Sequence, residues 1–316
     1  MKKTILVTGG AGYIGSAAVK ALISKGYNII VVDNLTKGKI ELVDKNATFY
    51  NVDLTDKKKL STVFNQKIDF VMHFASYKAV GESMINPGKY SDNITGTINL
   101  LDMMIKHNIK KIIYSSTAAV YGMPKINPIE ENHSTNTINY YGYTKLTSEK
   151  IIDWYSKIHD LNYVSLRYFN IAGDFGLNYI DPEAENIFPI IMEVIFGKRD
   201  KLTIFGDDYD TRDGTCIRDY IDIHDLIDAH ILALNINENQ IINLGTSNGT
   251  SVKELVDAII KVTGKDFPYE IGKKREGDPG TLIASNEKAK EILNWEPKKD
   301  IKDMIKSTFD AYNNIL

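Results

Sequence analysis

One cysteine, Cys216, stands in 316 residues. An internal disulfide is therefore impossible, and a cysteine-based metal cluster has no ligand set. A reducing, cytoplasmic setting is the simplest expectation. Histidines and carboxylates show no ligand-like spacing, so no metal is expected. No apolar run approaches the ~20 residues needed to span a bilayer. A net charge of -3 offers no general attraction to nucleic acid or to an anionic membrane surface. The opening Met1-Lys-Lys-Thr-Ile-Leu-Val-Thr-Gly9 has too short an apolar core for a signal peptide and reads as a first β-strand. There is no internal repeat and no disordered linker. What remains is an ordinary soluble composition, long enough for one large domain or two.

The first half alternates β-branched apolar runs with amphipathic stretches. Strand candidates are Thr4–Val7, Ile29–Val32, Phe49–Val52, Phe70–His73, Lys111–Ser115 and Tyr163–Arg167. Helix candidates between them include Ile14–Lys25, Asp56–Asn65 and Tyr90–His107. This alternation predicts an α/β fold with a doubly wound parallel sheet, a Rossmann sheet over residues 1–170. Its ligand should lie beyond the carboxyl ends of the strands. Asn170–Asp219 reads as loop-rich, with one helix at Phe188–Phe196. Parts of 217–245, with a helix at Ile223–Leu234 and a strand at Ile241–Leu244, are expected to rejoin the first domain. Ser251-Val-Lys-Glu254 is a capping box for a helix running to Gly264. Residues 171–316 read as a smaller α/β substrate-binding domain.

Thr8-Gly-Gly-Ala-Gly-Tyr-Ile-Gly15 lies between the first strand and the first helix. Its glycines allow a tight turn and let the backbone approach a pyrophosphate. The helix N-terminus presents N–H groups and a partial positive charge to the phosphates. Gly9, Gly12, Tyr13, Ile14 and Gly15 are therefore candidate dinucleotide contacts. Asp33 ends the second strand, 18 residues beyond Gly15. A carboxylate there accepts hydrogen bonds from the adenosine ribose and repels a 2′-phosphate, which favours NAD over NADP. Lys37 nearby weakens that preference slightly. Asp53-Leu54 follows the third strand, placed either to flank the adenine or to cap the next helix.

Tyr141 and Lys145 stand four residues apart, on one face of a helix. A phenol is a poor base, with an ordinary pKa of about 10. A lysine charge beside it favours the phenolate. Such a pair is common on its own. Here it follows a dinucleotide fingerprint and a hydroxyl cluster, Ser115-Ser116-Thr117, at the end of the fifth strand. The cluster could also be no more than a polar strand end. Together the three features point to sugar or alcohol redox chemistry. Thr117 can bond the reacting oxygen, Tyr141 can move its proton, and Lys145 can lower the tyrosine pKa and hold a nicotinamide ribose.

At these residues the chain resembles the extended short-chain dehydrogenase/reductases, and among them the UDP-glucose 4-epimerase family. The likeness spans essentially the whole chain. It runs through Val7–Gly15, Asp33-Asn34, His73–Ser83, Ser115–Gly122 and Tyr141–Lys145. The later segments are the most specific: Leu166–Asn170, Ile204–Gly206, Asp210–Tyr220 and Arg275–Asp278. The resemblance implies bound NAD and reversible C4 inversion of UDP-galactose and UDP-glucose through a 4-keto intermediate, in a cytoplasmic homodimer. It implies that Asn34, Phe74, Ala75, Ser76, Lys78, Asn93 and Phe169 line the cofactor. It puts Asn170, Asn186, Ile187, Thr203, Phe205, Arg218, Arg275 and Asp278 on the UDP-sugar. Two guanidiniums suit a diphosphate, although ion pairs with Asp219 or Glu276 are the alternative use. Leu282 falls at the family's gate beside the sugar C2 substituent.

Three positions depart from the family pattern. Thr117 stands where serine is frequent, Ser76 where glycine is frequent, and Tyr143 adds a ring between the catalytic pair. A 4-epimerase of UDP-N-acetylhexosamine or UDP-uronate would use the same residues. A dehydratase would need an acid where Ala118 stands. A redox-sensing NAD-binding module would have no need of the Tyr/Lys pair.

Overall fold

The computed structural model describes residues 2–182, 184–275 and 277–316. Glu276, one of the two ion-pair partners considered above, lies outside them. The chain opens with β1 (Thr4–Thr8), α1 (Tyr13–Ser24), β2 (Asn28–Asp33), β3 (Thr48–Asn51), α2 (Lys57–Val63) and β4 (Phe70–His73). It continues through α3 (Val80–Ile85), α4 (Pro87–Lys106), β5 (Lys111–Thr117), α5 (Tyr140–His159) and β6 (Asn162–Tyr168). Next come β7 (Asn170–Ala172), α6 (Ile187–Ile195), β8 (Leu202–Phe205), β9 (Ile217–Asp222), α7 (Ile223–Ala233) and β10 (Gln240–Leu244). The last are β11 (Gly249–Ser251), α8 (Val252–Thr263), β12 (Tyr269–Gly272), β13 (Thr281–Leu282), α9 (Glu287–Leu293) and α10 (Ile301–Asn313).

Two compact units form. Unit 1 comprises Met1–Gly122, Thr135–Arg167 and Ala229–Ile242. Unit 2 comprises Met123–Ser134, Tyr168–Asp228 and Asn243–Leu316.

Seven strands make one parallel sheet in the order β10-β6-β5-β4-β1-β2-β3. This is the expected doubly wound arrangement. β5 buries all seven of its residues, and β1 buries all but Thr4. Such unbroken burial is what a parallel sheet covered on both faces requires. The chain steps outward from β1 to β2 and β3, then returns to β4 on the other side of β1. At that reversal the loops leaving the strand ends diverge and open a crevice. The loops after β1 and β4 are the glycine fingerprint and the Phe74–Ala79 segment.

Unit 2 closes around Phe188, Ile191, Met192, Leu255, Ile259, Met304 and Ile305. Its sheets are small, with β11-β9-β13 joined by β7, and β12 beside β8. The capping box at Ser251 and Glu254 forms, and α8 ends at left-handed Gly264, φ +65°. Asn170–Asp219 is mostly loop, but its short strands were not expected. It holds β7, β8 and the start of β9 besides α6. Strands of three or four residues carry too few alternations to register as a period.

Candidate active site

Two glycines show why the turn after β1 is built as it is. Gly9 has φ +72°, and a Cβ there would lie 2.6 Å from the Ala75 amide nitrogen. A Cβ on Gly15 would lie 2.0 Å from the Gly9 carbonyl oxygen. Side chains would therefore push apart the two loops at the strand reversal and the helix from its turn. α1 starts from Gly12 with no side-chain cap and no acidic residue in its first turn. A diphosphate approaching Tyr13 and Ile14 thus meets backbone N–H groups with no competing carboxylate.

Asp33 is buried at the end of β2. Its Oδ2 accepts from the Ala11 N–H at 3.1 Å and its Oδ1 from the Leu35 N–H at 2.8 Å. Burial raises its pKa, and those two bonds oppose the rise. Each oxygen keeps a lone pair for a ribose hydroxyl. Asp53 does not cap α2; Asp56 does, accepting from the Lys59 N–H. Asp53 instead accepts from the Thr55 N–H at 2.8 Å, from Thr55 Oγ1 at 2.6 Å and from Asn34 Nδ2 at 2.8 Å. Burial alone would raise its pKa, yet these bonds hold it below the ordinary value. Leu54 packs into the core with Gly96 against it. The donor set and the glycine cradle fit a dinucleotide.

The loop after β4 carries Phe74, Ala75, Ser76 and exposed Lys78. Phe74 stacks on His230, with ring centroids 4.9 Å apart. Ser76 Oγ donates to the Tyr77 carbonyl at 3.1 Å. Asn93 on α4 grips the loop, accepting from the Tyr77 N–H at 2.9 Å and donating to its carbonyl at 3.1 Å. Its Nδ2 also donates to Thr144 Oγ1 on α5 at 3.2 Å.

Thr117 ends β5, and Tyr141 lies in the first turn of α5. Asn139 caps that helix by accepting from the Gly142 N–H at 2.7 Å. The Tyr141 N–H donates to Ser83 Oγ at 3.1 Å. The Thr117 hydroxyl donates to the Tyr141 phenol. Lys145 is buried, and its Nζ donates to the Ser115 carbonyl at 2.8 Å, above the Tyr114 ring. Tyr143 is exposed and stacks on Tyr140.

Burial dominates the electrostatics here. It pushes Tyr141 up to about 12, and the bond from Thr117 offsets only part of the rise. It pushes Lys145 down to about 7, against the attraction of Glu149. The expectation that Lys145 draws the phenol down is therefore not met by the chain alone. A lysine that titrates near neutrality carries only part of a charge with which to stabilise a phenolate. His73, driven to about 3 by burial and by Lys145, is a neutral imidazole. It bridges Thr8 at 2.7 Å and Thr97 at 3.0 Å.

The remaining candidates lie in unit 2. Arg218 on β9 pairs with Asp278 at 2.5 Å and donates to the Ile217 carbonyl at 3.0 Å. The alternative partner Asp219 is buried and otherwise engaged. It accepts from Thr246, Ser247 and Ala284 N–H groups at 2.8 to 3.1 Å. The exposed Arg275 guanidinium lies 3.8 Å from the centroid of Phe205, a cation–π contact. Thr203, two residues earlier on the same face of β8, donates to Glu270 at 3.2 Å. Asn170 donates to the Asp219 carbonyl at 3.3 Å. Asn186 caps α6 just before Ile187 and donates to the Ile171 carbonyl at 3.2 Å. Phe169 is buried between β6 and β7.

Sequence reasoning assigned no role to Ser83, which holds the Tyr141 N–H, and missed the buried network that ties Ser116 of the hydroxyl cluster to Glu149, Arg167 and Tyr121. The available sign was Glu149, one helical turn beyond Lys145 and so on its face.

The NAD dependent epimerase/dehydratase family matches residues 5–245. The UDP-glucose 4-epimerase of Lacticaseibacillus casei is 48% identical over 98% of this chain and 97% of its own. A crystal structure of a UDP-glucose 4-epimerase is 44% identical and superposes with a TM-score of 0.95, covering 99% and 98% of the two chains. The Bifidobacterium longum UDP-glucose 4-epimerase, solved with NAD+ and UDP, is 38% identical with a TM-score of 0.94 over 99% of each chain.

Proposed function

The chain belongs to the NAD dependent epimerase/dehydratase family, and from that premise we propose that it inverts C4 of UDP-hexoses, interconverting UDP-galactose and UDP-glucose. The observation that carries this reading is the hydroxyl pair of Thr117 and Tyr141 beside buried Lys145, at the carboxyl end of a sheet bearing a dinucleotide cradle. Bound NAD+ supplies a hydride acceptor, a hydride to return, and a positive ring charge.

The protein's own groups do the rest. Thr117 bonds the sugar O4 and orients it. Tyr141 takes the O4 proton as C4 is oxidised, and returns it once the 4-keto sugar has presented its other face. Lys145 holds the nicotinamide ribose and, when charged, favours the phenolate. Arg218 and Arg275 hold the diphosphate through charge-assisted bonds, Asp278 keeping Arg218 aimed. That grip retains the ketone while the hexose turns. Phe169, Asn170, Asn186, Ile187, Thr203 and Phe205 complete the cofactor and nucleotide contacts. Turnover of UDP-galactose to UDP-glucose by the purified protein, followed with a glucose-specific coupling enzyme, tests the reading; none at any pH from 6 to 9 would sink it.

Asp33 sets cofactor choice. Reconstitution should favour NAD over NADP, and Asp33→Ala should relax the preference. Equal binding of both by the unmodified protein would refute this role.

Leu282 gates the sugar. It pairs with Arg218 across the parallel β13–β9 ladder, so the two side chains share a face. Leucine is smaller than a tyrosine and bulkier than a serine, and exclusion by a few methylenes is worth about 1–3 kcal/mol. UDP-galactose should therefore be preferred over UDP-N-acetylgalactosamine without absolute rejection, and Leu282→Ser should narrow the gap. Equal kcat/KM for both sugars, unchanged by the substitution, would remove the gate.

The working assembly is a homodimer in the cytoplasm. Trp154 and Ile158, one turn apart on α5, are 62% and 65% exposed, an apolar pair suited to a partner copy. Trp154→Glu should convert a dimer to a monomer in light scattering. A unchanged mass would clear this face of the role.

A further inference from the structure

Four buried polar side chains of unit 1 are tied together, and none has a chemical role in the reaction as described. Ser116 Oγ donates to Glu149 Oε1. Arg167 donates through Nε to the same oxygen at 2.9 Å and through Nη2 to Oε2 at 2.6 Å. Its Nη1 donates to Tyr121 Oη at 3.0 Å. Ser116 is fully buried, and Glu149 and Arg167 are each 4% exposed.

The place of Ser116 decides what this tie can do. One residue earlier, the Ser115 carbonyl holds Lys145. One residue later, the Thr117 hydroxyl holds Tyr141. Glu149 lies one helical turn beyond Lys145 on α5. The tie therefore joins the end of β5 to the helix bearing the reacting pair, at the residue between the two that grip that pair. Charge-assisted bonds in a dry interior are strong and direction-dependent, and a fully satisfied network is rigid. A stability role alone could be met by the bidentate pair of Arg167 and Glu149. It would not need a serine from this one position of the strand.

We propose that Glu149 is a positioning residue for the reaction. Through Ser116 it fixes the end of β5 against α5, so that the Ser115 carbonyl and the Thr117 hydroxyl meet Lys145 and Tyr141 in register. The inference rests on the reading of Tyr141 and Lys145 given above. The charged and titratable groups around the pair are His73 from β4, Tyr114 from β5, Glu149 from α5 and Arg167 from β6. Of these, His73 is neutral, and Glu149, paired with Arg167, still raises the Lys145 pKa, so a test of position must leave both charges in place. A displaced Thr117 would weaken its bond to the phenol, so the Tyr141 ionisation should move to higher pH.

The test uses the NAD-loaded protein and Ser116→Ala, which spares the bond between Arg167 and Glu149. Tyr141 ionisation is read as the phenolate absorbance that Tyr141→Phe lacks, with no substrate present. Ser116→Ala should raise that titration by about half a unit or more. It should lower kcat about tenfold with KM within about twofold, as expected for misplaced groups and not for lost binding. Ser116→Cys, whose thiol is a similar size but a weak donor and which also leaves the pair of Arg167 and Glu149 in place, should shift the titration in the same direction and serves if Ser116→Ala fails to fold. An unshifted Tyr141 titration in either folded variant overturns the proposal, whatever its turnover or stability. Failure of the unmodified protein on UDP-galactose would instead strike the functional reading, since the titration needs no sugar.

Discussion

Replacing Tyr141 with phenylalanine should lower turnover of UDP-galactose by roughly a hundredfold or more, with NAD still bound. The substitution removes one oxygen and keeps the ring. The backbone N–H of residue 141 still finds Ser83, and the Asn139 cap of α5 is untouched. What disappears is the proposed acceptor of the O4 proton, and Thr117 loses its partner. Burial has already placed the Tyr141 ionisation at about 12 in the protein alone. The phenolate therefore depends on neighbouring charge. Lys145, pushed to about 7, has its Nζ engaged with the Ser115 carbonyl. The check is kcat by a coupled assay beside the NAD content released on denaturation. Near-normal kcat in Tyr141→Phe would rule out this residue as the base.

The second large effect is on stability. Arg167→Met should destabilise the fold by about 3–5 kcal/mol, because Glu149 would be left as an unpaired buried charge. Both partners of the 2.6 Å pair are 4% exposed, so water cannot take over the lost bonds. Arg167→Met combined with Glu149→Leu should cost clearly less than Arg167→Met alone, since neither charge then remains. Denaturant midpoints of the single and double variants measure the difference. A double variant no better than Arg167→Met alone would show that the lost packing, and not the stranded carboxylate, sets the cost. The surface pairs offer a contrast. Lys157 with Asp153 and Lys306 with Asp310 lie at similar distances in exposed places. Each should be worth well under 1 kcal/mol.

Much of the fold and the site was legible in the sequence. Apolar runs alternating with amphipathic ones implied the parallel sheet. The strand–glycine–helix order implied the cradle at Gly9–Gly15. The i, i+4 spacing placed Tyr141 and Lys145 on one helical face. These features are local, set by periodicity and backbone freedom within one or two elements, so a window of sequence holds them. The resemblance over the later segments then carried the reading from general redox chemistry to a UDP-hexose.

The tertiary structure decided which groups meet and what burial does to them. Ser116 and Glu149 are 33 residues apart, and Arg218 and Asp278 are 60 apart. Spacing in the chain could not choose Asp278 over adjacent Asp219 as the partner of Arg218. Nor could it turn Asp53 toward Asn34 and Thr55 while Asp56 took the helix cap. The pKa of Tyr141 shows the division most plainly. Sequence placed a lysine where it could lower it, and the fold removed the water that any charge there needs. Local pattern fixes which residues share a face. Solvation and pairing depend on the surroundings that distant segments supply, and those exist only once the chain has folded.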